Sequence, residues 1–197
     1  MPYEMKPLSC VPAKLKGLSE QLIVSHYENN YGGAVKRLNA ITAQLESLDF
    51  GTAPVFLING LKREELIASN SMILHELYFD GLGSRGEPDK ALQGALVRDF
   101  GSLERWQSQF AAMGKALGGG SGWVLLTYSR RDKKLINQWA ADHTCSLAGA
   151  SPIIALDMYE HSYHIDYGAK AAAYVDAFME NINWENVSAL YSQNSHS

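Results

Sequence analysis

The chain has 197 residues, 46% of them apolar and 19% charged, which excludes a disordered or fibrous protein. The formal net charge of −4 argues against a general nucleic-acid-binding protein, because such proteins are usually basic. No stretch approaches the roughly 18 apolar residues of a membrane span, and the N-terminus lacks the apolar core of a signal peptide, so we expect no membrane partner. The two cysteines, Cys10 and Cys145, are too few for a disulfide scaffold and favour a cytoplasmic location.

The first half of the chain is predicted to be helical. Ser19 suits the N-cap of a helix that continues to about residue 48, and the glycine pair at 32–33 predicts a kink or a close contact within it. A second helix is expected over residues 61–80, with Gly81 as a left-handed C-terminal cap. These two helices are expected to form a long antiparallel hairpin.

Residues 83–88 form the predicted linker, because their Gly, Ser and Pro content stops helices. They divide the chain into an N-terminal domain, 1–86, and a C-terminal domain, 87–197. Beyond the linker, helical and strand-like segments alternate. The expected helices cover 89–100, 103–117, 169–181 and 184–191, and the expected strands cover 123–128, 134–140 and 153–158. The fold class is therefore α+β: a helical hairpin, then an α/β domain with a small antiparallel sheet.

Four residues are candidate metal ligands. Asp157 ends an apolar run, where a buried carboxylate is costly unless a cation pairs with it, and His161 follows one turn later. His26 and His75 each lie in the middle of a predicted helix among apolar neighbours. A capping aspartate and three core histidines are the plain alternative. Together, however, three imidazoles and one carboxylate form a complete ligand set for zinc, iron or manganese, and spacing alone does not choose among these metals.

His143 follows the predicted return strand, in the loop before Cys145. From its position alone it is equally a metal ligand, a hydrogen-bond donor to a ligand, or a surface histidine.

Several segments carry a family resemblance. They include Ser25-His26-Tyr27, Leu74-His75, Gly120-Ser-Gly-Trp123 and, most specifically, Asp157-x-x-Glu160-His161-x-Tyr163. Over essentially its whole length the chain resembles the iron/manganese superoxide dismutase family. The resemblance implies superoxide as substrate and one iron or manganese ion per subunit, between the two domains. The ligands that it implies are His26, His75, Asp157 and His161.

The residues around the implied metal depart from the family's pattern. A glutamine usually hydrogen-bonds the metal's bound water there; the resemblance assigns this role to His143, because the other possible position holds the short Ser71. The usual entrance tyrosine aligns with Ala34. Tyr31 lies five residues after His26, so about 500° of α-helical rotation turns it roughly 140° from that residue's face, unless a distortion at the glycine pair returns it to the entrance. His143 and Tyr31 are thus the candidate catalytic residues.

The resemblance also implies an oligomer. Glu160 matches the glutamate that reaches the partner subunit's ligand in this family, and the second cross-dimer pair aligns with Asn30 and His164. A homodimer through Glu160 and His164, or a tetramer, is expected. Tyr159 stands where the family usually has a tryptophan.

The expected activity is superoxide dismutation at iron or manganese. The alternative is a catalytically weak metal-binding relative on the same scaffold, favoured by the unusual residues Asn30, Ala34 and Leu125. A zinc hydrolase is a third interpretation, but no general base is evident outside the ligand set.

Overall fold

A computed structural model describes residues 1–83 and 86–196. Helices dominate both halves of the chain, and one small sheet lies in the second half. The α-helices are α1 Glu20–Ser25, α2 Gly32–Glu46, α3 Val55–Asp80, α4 Lys90–Phe100, α5 Leu103–Ala116, α6 His164–Tyr167, α7 Ala171–Glu180 and α8 Trp184–Ser195. The strands are β1 Trp123–Ser129, β2 Lys134–Ala140 and β3 Ala150–Asp157. The α+β fold class is confirmed.

The first long helix is continuous but changes its hydrogen-bonding pattern in the middle. Ser19 caps α1, as predicted, by accepting a hydrogen bond from the backbone N–H of Leu22 at 3.0 Å. Between α1 and α2, residues His26–Tyr31 form a π-helical segment, here called the π turn. The expected distortion therefore lies directly before the glycine pair. Gly32 provides close contact with the N-terminal arm, since a Cβ there would lie 3.0 Å from the Met5 sulfur.

Helix α3 begins at Val55, earlier than predicted, because Pro54 starts the helix and its carbonyl accepts from Leu57 and Ile58. The prediction of a left-handed cap at Gly81 is wrong: its φ is −77°. The helix ends there because the Gly81 carbonyl accepts a hydrogen bond from the backbone N–H of Asn183 at 2.8 Å.

Helices α2 and α3 form the predicted antiparallel hairpin. Tyr31 contacts His75 near the start of α2 and the end of α3, whereas Arg37, further along α2, pairs with the earlier residue Glu64 of α3. The opposite order of these contacts gives the antiparallel direction.

The sheet has the order β2-β1-β3 and is antiparallel throughout. Trp123, at the start of β1, lies opposite Ala140 at the end of β2 and Asp157 at the end of β3. This register places the start of β1 and the ends of β2 and β3 together at one end of the sheet. Gly122 permits it: its φ is +124°, and a Cβ there would lie 2.3 Å from the Ala140 carbonyl oxygen.

The two halves of the chain are joined by polar contacts. The Asn181 side chain accepts from the Lys16 N–H at 2.9 Å and donates to the Lys16 carbonyl at 2.7 Å. Asp166 accepts from both the backbone N–H and the hydroxyl of Ser19. The predicted boundary at residues 86/87 stays a prediction, and residues 84 and 85 of the predicted linker lie outside the described residues.

Within the parts of the chain that the structure describes, no helix is both long and apolar enough to cross a membrane.

Candidate metal centre

The structure brings together the four residues that the sequence singled out as metal ligands. His26 begins the π turn, and His75 lies on α3 of the hairpin. Asp157 is the last residue of β3, and His161 lies in the short 3-10 turn Glu160–Ser162. Their ligand atoms all lie within 4.8 Å of one another. These residues, here called the His₃Asp group, therefore lie between the helical hairpin and the α/β region.

The distances within the His₃Asp group suit a metal ion. The Nε2 atoms of the three histidines lie 3.2, 3.6 and 3.2 Å from Asp157 Oδ2, for His26, His75 and His161 respectively. Ligands about 2.1 Å from an ion are separated by about 3.0 Å at right angles and about 4.2 Å on opposite sides. The three separations from Asp157 Oδ2 fall within this range.

The hydrogen bonding of the buried imidazoles points to the same conclusion. His75 Nδ1 donates to the Ser71 carbonyl at 2.6 Å, which leaves Nε2 unprotonated. No hydrogen-bond partner among the described residues satisfies His75 Nε2 or either ring nitrogen of His26, although all three atoms are buried. Buried polar atoms are rarely left unsatisfied. A metal ion would satisfy the convergent Nε2 atoms, so the residues present fit the implied metal.

The protonation states also suit metal binding. Burial lowers the pKa of His75 to about 3 and that of His26 below its usual value, so both imidazoles are neutral near pH 7. Burial alone would raise the pKa of Asp157, but the adjacent imidazoles of His161 and His26 hold it well below its usual range. The group thus offers two neutral buried imidazoles and one carboxylate to a metal ion.

Comparison with known proteins assigns the chain to a family. Residues 88–190 match the model of the C-terminal domain of iron/manganese superoxide dismutases. The chain is also 73% identical to an iron superoxide dismutase of Cupriavidus metallidurans over 192 residues, 98% of each chain. The chain belongs to the iron/manganese superoxide dismutase family.

More distant members of this superoxide dismutase family carry either metal in their names. A manganese superoxide dismutase of Haloferax volcanii is 34% identical over 98% of this chain and 97% of its own. An iron superoxide dismutase of Aquifex pyrophilus is also 34% identical, over 92% of this chain and 88% of its own. Family membership therefore specifies the iron/manganese type without choosing the metal.

His143 lies beside the His₃Asp group in this superoxide dismutase fold. Its ring centroid is 6.2 Å from that of His75. The Trp123 indole N–H donates to His143 Nδ1 at 3.0 Å. Because an indole nitrogen only donates, His143 Nδ1 is the acceptor and Nε2 carries the proton. Burial lowers the pKa of His143, which favours this neutral tautomer.

Tyr31 also reaches the His₃Asp group. In a π turn hydrogen bonds join residues five apart, so Tyr31 lies one turn after His26 rather than 140° away. Its ring stacks on His75, with 6.4 Å between centroids and 26° between planes. Its hydroxyl donates to Glu76 at 3.0 Å and accepts from the Lys6 N–H at 2.8 Å.

The cavity beside His143 reflects the small side chain at position 34. It measures about 340 Å³, and the residues that line it include Asn30, Gly33, Ala34 and Ser71. Small and amide side chains thus occupy the region where the resemblance places a tyrosine and a glutamine.

Sequence reasoning did not find the roles of Lys6 and Glu76. Lys6 Nζ pairs with Glu76 Oε2 at 2.5 Å, and this pair holds the N-terminal arm against α3 beside Tyr31. Since the partners lie 70 residues apart, no local pattern reveals the contact. In the sequence, the only indication of this contact is that the carboxylate of Glu76 directly follows His75.

Proposed function

We propose that the protein disproportionates superoxide into dioxygen and hydrogen peroxide, with one iron or manganese ion per subunit held by the His₃Asp group. The convergence of three imidazoles and one carboxylate in a mostly buried site carries this proposal. A redox metal bound there would take an electron from one superoxide ion and return it to the next. The 73% identical relative is named an iron enzyme, so iron is the first metal to test.

We propose that His143 holds a proton at Nε2 for this site. Formation of hydrogen peroxide from superoxide consumes protons, and a neutral imidazole that keeps Nε2–H is a hydrogen-bond donor at the edge of the group. The bond from Trp123 to Nδ1 supports this assignment because it directs the other nitrogen to carry the proton.

We assign Tyr31 a positioning role through its ring. Burial is the main cause that raises its pKa to about 12, so the phenol stays protonated. The two hydrogen bonds of its hydroxyl hold the ring against His75 and anchor it to the N-terminal arm. Tyr31 would therefore restrain the imidazole of His75 through ring stacking.

The first test measures superoxide decay by protein loaded separately with iron and with manganese. Rapid turnover by either form, abolished by His161→Ala, supports the proposal. His196→Ala, at an exposed histidine near the C-terminus, is the matched control and should keep full activity. If both forms hold the metal and decay stays at the level of His161→Ala, the protein is a catalytically weak metal-binding relative instead.

We further infer a homodimer through Glu160 and His164. Both side chains are exposed on the surface beside His161, whose side chain is 27% accessible, and this placement leaves them free to meet a second copy. A tetramer through the exposed apolar residues Val55 and Phe56 at the hairpin tip is the larger assembly to test. Sedimentation of Glu160→Ala should show a weakened dimer, and Glu4→Ala should not.

We also propose a cytoplasmic location. Neither of the described cysteines, Cys10 and Cys145, forms a disulfide, as expected in a reducing compartment. Fractionation of cells that produce the native protein tests this location, and recovery outside the cytoplasm would overturn it.

A further inference from the structure

Tyr159 stacks on two histidines of the site. Its ring is parallel to that of His143, with 4.9 Å between centroids and 11° between planes. The same ring is parallel to that of His161, with 5.5 Å between centroids and 11° between planes. One aromatic ring thus contacts both His143 and a histidine of the His₃Asp group.

Neighbouring side chains also contact the backbone and the Nδ1 atom of His143. Asn70 donates from its side-chain amide to the His143 carbonyl at 2.5 Å. The His143 backbone also interacts with the Tyr159 hydroxyl, while Trp123 donates to Nδ1 at 3.0 Å. Three neighbouring side chains therefore restrain one loop residue, two at its backbone and one at its ring.

Loop residues are normally mobile, and rotation about the Cβ–Cγ bond of a histidine is only weakly restricted. A turn of this bond would remove Nδ1 from Trp123 and redirect the Nε2–H. A ring stacked face to face opposes such a turn, because the edge of the imidazole would collide with it. The stack thus supplies the orientation that the loop lacks by itself.

We propose that Tyr159 is a positioning residue, which holds His143 with Nε2–H directed toward the His₃Asp group. This inference rests on the proposed function of His143. The tyrosine ring restrains the imidazole, and its hydroxyl restrains the His143 backbone. A tryptophan in its place would supply a ring but no oxygen to accept a hydrogen bond. Tyr159 and His143 consequently form a matched pair.

Three variants separate the parts of this pair. Tyr159→Leu removes the ring, Tyr159→Phe removes only the hydroxyl, and Tyr159→Trp keeps a ring but removes the acceptor. Tyr191→Phe removes a tyrosine hydroxyl in α8, outside the site, and is the matched control. Loss of the ring should lower turnover about 10-fold or more, and loss of the hydroxyl about two- to tenfold. His143→Ala combined with Tyr159→Leu should lower turnover no further than His143→Ala alone.

A spectroscopic measurement tests orientation without relying on turnover. Nitrogen-15 NMR of histidine-labelled, zinc-loaded protein reports which nitrogen of each imidazole is protonated, and His143→Gln identifies the signals of His143. The wild type should show one Nε2–H tautomer with Nδ1 hydrogen-bonded. Tyr159→Leu should show a mixture of tautomers, and Tyr159→Phe serves the same comparison if the leucine variant fails to hold zinc.

The outcomes distinguish this inference from the proposed function. Unchanged His143 signals in both the leucine and phenylalanine variants would overturn the positioning role, as would a double variant whose losses multiply. An inactive wild type with a single His143 tautomer, lost in Tyr159→Leu, would overturn the proposed function and leave the positioning role supported.

Discussion

The metal-free protein should lose stability on mild acidification because His75 is buried in its neutral form. Its pKa falls from 6.5 to about 3 on folding, mainly through burial. A histidine with a depressed folded pKa takes up its proton first in the unfolded chain, so stability is lost as pH falls below 6.5. Each pH unit in this window costs about 1.4 kcal/mol. Between pH 7 and pH 5, His75 alone should therefore lower the free energy of unfolding by about 2 kcal/mol.

Urea unfolding of chelator-treated protein at pH 7 and pH 5 measures this loss. His75→Gln removes the titrating group and keeps an amide that can donate to the Ser71 carbonyl. The loss between the two pH values should be about 2 kcal/mol smaller in His75→Gln than in the wild type. Burial lowers the pKa of His26 in the same direction, so the variant should retain part of the pH dependence.

His196→Gln replaces an exposed histidine and controls for the chemical change. Equal losses in the wild type and His75→Gln would refute the reasoning, because they would show that His75 takes up its proton equally in the folded and unfolded chain. Asp157 does not contribute to the loss of stability between pH 7 and pH 5, because its pKa in the folded protein lies below the usual carboxyl range. Protonation of Asp157 affects stability only at lower pH.

Three further outcomes are expected. Gly122→Ala should lower the free energy of unfolding in urea by about 1–3 kcal/mol, because alanine is strained at positive φ. The control Gly33→Ala, whose Cβ meets no atom within 4 Å, should raise the free energy of unfolding by about 1 kcal/mol. A Gly122→Ala variant as stable as the wild type would contradict the assigned strain. Removing the metal should lower the thermal midpoint, and adding iron back should restore it, whereas a midpoint unchanged by metal would show that the His₃Asp group does not bind it in the folded state. Raising ionic strength from about 20 to 200 mM should slow superoxide decay less than about threefold, since the chain carries a net charge of −4; a steep fall measured by stopped flow would reveal strong local steering.

Local sequence patterns predicted most elements well. Ser19 caps α1 as predicted, and the predicted strand 134–140 coincides with β2. Such features depend on neighbours a few residues apart. The start of α3 was missed because residues 55–60 carry no strong local signal, and the cap at Gly81 was wrong because a distant backbone contact ends that helix.

The sequence by itself determined the candidate ligands, because a carboxylate ending an apolar run and histidines among apolar neighbours are costly to bury without a purpose. It also indicated the order of helices and strands through periodicity. The tertiary structure alone decided how the surrounding residues act. In a π turn hydrogen bonds join residues five apart, one more than in an α-helix, and composition does not encode this difference. The π turn nevertheless determines where Tyr31 lies. The contacts of Tyr159 with His143 and of Lys6 with Glu76 exist only because folding brings separate elements together.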